Sequence, residues 1–229
     1  MDTKDQNNSR LPAVLFLFFI FFISLFAFLV VHVLVKKNID MDETMATFLT
    51  LHYNDGIGSL MKLFTVLGSA VFLVIAYAVL FIFYAFYRKN LTLALRILAT
   101  GVCGYILMTV LKLLFHRTRP LHPLIHALNT FSFPSGHTTT SIVFFGIVIY
   151  LLWKERMTFR SKAAWSTFLI ILGLLVGLSR VYLREHFLTD VLAGICVAYF
   201  NLYVTLILFE KFQPIKKIQT KFAPQTINR

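Results

Sequence analysis

The stretch Leu11-Pro-Ala-Val-Leu-Phe-Leu-Phe-Phe-Ile-Phe-Phe-Ile-Ser-Leu-Phe-Ala-Phe-Leu-Val-Val-His-Val-Leu-Val35 contains no charged residue and is dense in phenylalanine. A helix of about 20 mostly apolar residues crosses the hydrocarbon core of a bilayer, and this run is long enough to do so. Its apolar part exceeds the core of about 7–15 residues found in a cleaved signal peptide, and no small-x-small cleavage pattern follows it. It reads as a retained membrane span.

Five more apolar segments follow. Leu63 to Tyr87 is also uncharged. Leu91 to Phe115 carries Arg96 near its start and Lys112 near its end. Ser135 to Trp153, Ala163 to Val181 and Phe187 to Phe209 complete the set. The expectation is an all-α fold, an integral membrane bundle of six transmembrane helices. It forms a single domain over residues 1–229, with spans near 11–35, 63–87, 91–115, 135–153, 163–181 and 187–209. Composition agrees: 58% of residues are hydrophobic and 14% charged, too few polar groups to cover a water-soluble domain of this length. The two cysteines, Cys103 and Cys196, lie inside apolar runs, so no disulfide framework is indicated.

The net charge of +12 would raise nucleic-acid binding in a soluble protein. Here the basic residues flank apolar segments, so membrane topology accounts for them and no nucleic-acid partner is expected. With six spans both termini share a side. Lys4, Arg10, Arg88, Lys89, Lys154, Arg156, Arg160, Lys162, Lys211, Lys216, Lys217, Lys221 and Arg229 fall on that side, more than fall opposite. The positive-inside rule then predicts cytoplasmic termini, with residues 211–229 a basic cytoplasmic tail able to touch anionic headgroups. Of the opposite loops, 36–62 holds Asp40, Asp42 and Glu43 before Met45, Phe48, Leu49 and Leu51, a spacing that suits a short interfacial helix. That helix reads equally as a solvated connector or as a gate for substrate.

Three clusters of ionisable residues sit at the outer ends of spans three to six, where such residues are costly and commonly functional. Lys112-Leu-Leu-Phe-His-Arg-Thr-Arg119-Pro120 closes the third span, Pro134-Ser135-Gly136-His137 opens the fourth, and Ser179, Arg180, His186 and Asp190 straddle the turn between the fifth and sixth. The topology alone brings all three to one membrane face. Lys112, Arg119 and Arg180 supply three positive charges, two of them forked guanidiniums suited to phosphate oxygens. Ser135 and Gly136 begin a helix whose free N–H groups favour an anion, with Gly136 permitting close approach. His186 and Asp190 are four apart and share a helix face. The carboxylate would fix the imidazole tautomer and free the other nitrogen for attack, with His137 as general acid. This set suits phosphoryl transfer without metal or other cofactor.

The patterns K-x6-R-P, P-S-G-H and S-R-x5-H-x3-D, in this order, resemble those of the type 2 phosphatidic acid phosphatase superfamily, which also includes vanadium haloperoxidases. Every signature position is present, from Lys112 to Asp190. The resemblance implies that His186 becomes phosphorylated, that His137 is the acid, and that Lys112, Arg119 and Arg180 are phosphate ligands. It implies a membrane lipid phosphate as substrate: phosphatidate, phosphatidylglycerol phosphate, diacylglycerol pyrophosphate or undecaprenyl pyrophosphate. A small six-span member with short loops looks bacterial, with lipid-carrier recycling and cell-wall biogenesis as the first expectation, and a site on the extracytoplasmic side.

Other readings attach to the same residues. Each cation alone reads as an anchor snorkelling to headgroups. His122 and His126 have a metal-like spacing, but Pro123 follows directly and no carboxylate or cysteine is near, so no metal site is assigned. Arg184, next to Glu185, reads either as an extra cation at the pocket or as half of a surface ion pair. A transporter or flippase for anionic lipids, or a non-catalytic binding protein, would use the same cations. Neither would need an oriented nucleophile such as the His186–Asp190 pair.

Overall fold

A computed structural model describes residues 3–37, 39–125 and 130–211, all helix and connecting segments with no strand among them. Most of the expected tail, residues 212–229, lies outside the described residues, as does His126. The helices are α1 (Thr3–Leu29), α2 (Asp40–Leu51), α3 (Asp55–Leu67), α4 (Ala70–Ile82), α5 (Leu91–Phe115), α6 (Gly136–Lys154), α7 (Phe159–Tyr182) and α8 (Leu188–Lys211). Among the described residues six segments are long and apolar enough to cross a membrane: Ala13–Val35, Ala70–Tyr87, Leu91–Phe115, Gly136–Lys154, Phe159–Tyr182 and Leu188–Phe209. The chain is a multi-pass membrane protein.

The first two spans end alike. α1 loosens into a π-helical turn at Val30–Val35 and α4 into another at Phe83–Tyr87. A lysine in the left-handed region follows each, Lys37 with φ 52° and Lys89 with φ 50°. Both pairs of basic residues, Lys36–Lys37 and Arg88–Lys89, thus mark places where an apolar helix meets the polar interface.

The second apolar segment departs from expectation. Residues 63–67 do not begin that span but close a separate helix, α3, and the chain breaks at Gly68–Ser69. Ser69 caps α4 by accepting a bond from the N–H of Phe72 at 3.2 Å. Gly68 is required by space: a Cβ there would lie 2.5 Å from Val176 Cγ1 and 3.2 Å from His137 Cδ2. The continuous hydropathy hides this break, because glycine and serine interrupt a helix without adding charge. α3 lies along α7, burying Met61 against Tyr182 and Leu183. α7 likewise begins before the expected Ala163, because the Thr158 hydroxyl caps it at Ser161 N–H.

α6 is central, packed against α5, α7 and α8. Close approach comes from small residues, as membrane helices require. A Cβ at Gly177 of α7 would meet Val191 Cγ1 at 2.9 Å and Thr138 Oγ1 at 3.3 Å. One at Gly194 of α8 would meet the Ser135 carbonyl oxygen at 3.0 Å and Thr138 Cβ at 3.1 Å. Both contacts between these three helices lie at the start of α6, and a Cβ at Gly146 farther along would clash with Leu202 Cδ1 of α8. At their opposite end Arg88 and Glu155 form an ion pair at 2.8 Å across two turns.

Candidate active site

α5 ends at His116, whose left-handed conformation (φ 48°) turns the chain back across the helix end. The connection to α6 is held to that end. Ser132 N–H donates to the Arg117 carbonyl at 2.7 Å, and Lys112 Nζ donates to the carbonyls of Phe131 (2.6 Å) and Ser132 (3.3 Å). Arg119 reaches back to Thr130, Nε to its carbonyl and Nη2 to its hydroxyl, each at 2.8 Å. Phe133 is fully buried with Leu29 and Ala193, fixing the approach to α6.

At the start of α6, Ser135 N–H donates to the Asp190 carbonyl at 3.0 Å, joining α6 to α8. The Ser135 side chain does not cap α6. It is fully buried and its hydroxyl accepts a bond from Thr138 Oγ1 at 2.9 Å. The first N–H groups of α6 are left as donors. A Cβ at Gly136 would meet Met108 and Lys112 side chains at 3.5–3.7 Å, ordinary contact. The protein itself could thus accept alanine there, and only a group docked on the N–H edge would be crowded. His137 follows, half-buried beneath Gly68 and within electrostatic reach of Arg180, His186, Arg119 and Lys112.

Asp190 stands in the first turn of α8 and accepts from Phe187 N–H at 2.9 Å, the reciprocal bond of a capping box. The same oxygen, Oδ2, faces His186 Nδ1 at 3.4 Å and accepts from the Ser132 hydroxyl, which itself lies 3.3 Å from Nδ1. His186 Nε2 faces Arg119 Nη1 at 3.4 Å. A guanidinium has only donors, so the arrangement suits a proton on Nδ1 and a lone pair on Nε2. Burial holds His186 far below the usual histidine range, at about 4, with Asp190 pulling the other way and Arg119 and Lys112 adding to the depression. The ring is neutral at physiological pH.

The structure thus brings Lys112, Arg119, Ser135, Gly136, His137, Arg180, His186 and Asp190 together at one end of α5–α8. It also supplies groups that the sequence reading did not pick out. Glu185 is buried, and its Oε2 sits between Arg119 Nη1 (3.2 Å) and Arg180 Nη2 (3.3 Å). Its carbonyl accepts from Arg119 Nη1 at 2.8 Å. Burial raises the Glu185 carboxyl above its usual range, opposed by Arg180 and Arg119. Among the described residues Glu185 Oε1 and Arg180 Nε are buried without a partner, so the clamp retains unused hydrogen-bonding capacity. Arg184 is not the partner of Glu185: its Nη2 donates to Thr50 Oγ1 at 2.8 Å on α2, while Glu185 pairs with Arg119 and Arg180. Arg117, largely buried, and Asp42, fully buried, are likewise held in an ion pair. Arg117 had a signal, standing two residues before Arg119. Asp42 had none, since three acidic residues at a helix start look like exposed dipole partners.

Among the described residues no group of three or more His, Cys, Asp or Glu stands together as a metal cage.

The PAP2 superfamily pattern matches residues 90–214. The chain is 33% identical over 186 residues to phosphatidylglycerophosphatase B of Bacillus subtilis, covering 80% of this chain and 87% of that protein. It is 30% identical over 152 residues to an undecaprenyl-diphosphatase of the same organism, covering 64% and 72% respectively. Its fold is similar to the crystal structure of a transmembrane PAP2-type phosphatidylglycerolphosphate phosphatase from Bacillus subtilis. The TM-score is 0.74 at 30% identity, over 90% of this chain and 98% of that one.

Proposed function

We propose, from the premise that this chain belongs to the PAP2 superfamily, a phosphohistidine route for its hydrolysis of a lipid phosphate. The chain is a membrane lipid phosphatase. His186 is the nucleophile, and the observation that carries this reading is its environment: a buried, neutral ring with Asp190 on Nδ1 and a cationic clamp beside Nε2.

The substrate phosphate lies among Lys112, Arg119, Arg180 and the first N–H groups of α6. These donors are aimed at the equatorial oxygens, where transition-state charge accumulates. Nε2 of His186 forms a bond to phosphorus as the bond to the leaving oxygen breaks, and His137 gives that oxygen its proton. His137 then takes a proton from water. The resulting hydroxide oxygen attacks phosphorus, the phosphorus–nitrogen bond breaks, and inorganic phosphate leaves. Asp190 stabilises the charge that develops on the imidazole during attack. Every charge in this sequence is met by a side chain, so turnover is expected to persist in excess chelator.

Phosphatidylglycerol phosphate is the first substrate to test, since the relative with that activity covers the larger share of this chain. Undecaprenyl pyrophosphate and phosphatidate follow. The distribution of basic residues supports cytoplasmic termini and a site on the extracytoplasmic side, and the Bacillus subtilis relatives support a bacterial membrane. The decisive experiment is phosphate release by purified protein in detergent with chelator from these lipids, beside His186→Ala. Release that the variant abolishes supports the reading. A fully active variant overturns it.

A further inference from the structure

Asp42 is the only buried residue of α2, a helix otherwise open along its length. Its Oδ1 accepts from Thr189 N–H at 3.0 Å, and its Oδ2 accepts from Thr189 Oγ1 at 2.7 Å and from Arg117 Nη2 at 2.6 Å. The other nitrogen of that guanidinium, Nη1, donates to Asp190 Oδ1 at 2.6 Å and to Thr189 Oγ1 at 2.7 Å. The Arg117 plane also lies over the Phe187 ring, 4.3 Å from its centroid. One largely buried guanidinium therefore bridges the outer helix and the carboxylate that faces His186. The far end of α2 is pinned as well, by Arg184 on Thr50, two residues before His186.

A lone carboxylate–imidazole pair can rotate. Arg117 occupies Oδ1 of Asp190 while Ser132 and Phe187 N–H occupy Oδ2, which fixes the carboxylate plane and hence the direction of Nδ1. Among the described residues the Arg117 side chain bonds to Asp42, Thr189 and Asp190 and to no clamp residue. Asp42 in turn holds Arg117 from the side opposite Asp190, against the cost of burying a guanidinium. We propose that Arg117 is a positioning residue for the Asp190–His186 pair and that Asp42 seats it, so that docking of α2 and orientation of the nucleophile are one coupled event. This rests on the reading of His186 as nucleophile.

The charged and titratable groups facing His186 are Lys112 from α5, Arg119 from the following loop, His137 from α6 and Asp190 from α8. Arg117 bonds to the last of these. Removing the Arg117 charge leaves Asp190 a stronger partner for the imidazole proton, so His186 should hold that proton to a higher pH.

The test uses the full chain in detergent micelles with Arg117→Gln, Asp42→Asn, the double variant and Arg117→Lys. Two readouts are needed: phosphate release from phosphatidylglycerol phosphate, and titration of His186 by nitrogen-15 histidine NMR, which needs no turnover. Each single variant should lower kcat by about 10–100-fold, as loss of a group that orients a ligand does elsewhere, with KM moved less than about threefold. The double variant should be no slower than the worse single one, because both break the same chain of contacts. The His186 titration should rise by about one pH unit in Arg117→Gln and return partway in Arg117→Lys. An unmoved titration, or effects that multiply in the double variant, overturns the proposal. A wild-type chain that releases no phosphate, alongside a His186 titration that still rises in Arg117→Gln, overturns the nucleophile reading and leaves the coupling standing.

Discussion

α1 and α6 are both membrane-spanning helices, and they are built on opposite principles. The most apolar 18 residues of the first span have a mean hydropathy of 3.2 and 6% of them are buried in the protein; those of the α6 span have 1.4 and 44%. α1 leans on α8 through stacked rings, Phe19 on Tyr203 at 4.4 Å and Phe22 against Tyr199 at 4.6 Å, and through one bond from Tyr199 Oη to the Leu15 carbonyl. α6 instead buries Thr138, Thr139 and Ser141, whose hydroxyls bond to its own turn and to α8. The most hydrophobic helix is thus the least built into the molecule. Hydropathy measures affinity for lipid, while a site needs polar groups kept from lipid by their neighbours.

This contrast can be broken by substitution. The largest effect belongs to the buried end: His186→Ala should lower kcat by about 10⁴-fold or more, as loss of a nucleophile does, read as phosphate release in chelator. Arg119→Ala or Arg180→Ala should follow, each costing about 10²–10³-fold in kcat/KM, the scale of removing one donor from a charge-stabilising site.

Glu185→Ala tests whether the carboxylate between those arginines is structural. It leaves the buried Arg180 and the partly buried Arg119 without their shared carboxylate, and breaking a buried pair costs about 3–5 kcal/mol. A clear fall in thermal unfolding temperature in detergent is expected, and an unchanged one would show the clamp to be self-supporting. The pH profile gives a subtler check. His186 must be neutral to attack and its proton affinity is depressed to about 4. kcat/KM should therefore hold on acidification through the ordinary histidine range and be lost only as pH falls through about 4. Loss near 6.5 would mean that water reaches the ring. The smallest effect is expected on α1. Leu17 is 67% exposed within the protein and faces lipid, so Leu17→Ala should change turnover less than about twofold and stability within about 0.5 kcal/mol.

Much of the fold was legible in the chain because lipid imposes a one-dimensional rule, about 20 apolar residues for each crossing. The rule overreached at Gly68–Ser69, where two helices share one apolar run and the break seats the chain against Val176 and His137. The clustering of Lys112, Arg119, His137, Arg180, His186 and Asp190 was legible for the same reason, since alternation of spans puts alternate ends on one side. Glu185 was not, because a carboxylate beside Arg184 in sequence gives no hint that its partners are Arg119 and Arg180.

By itself, then, the sequence determined the six-helix membrane class and which span ends lie together, properties fixed by transfer of each segment between water and lipid. Only the tertiary structure decided the partners of the charges at that face. Asp42 lies 147 residues from Thr189 and 75 from Arg117, and a buried carboxylate must take whichever donors the packing of α2, α5 and α8 brings to it. That choice is made by contact geometry, which no local pattern encodes.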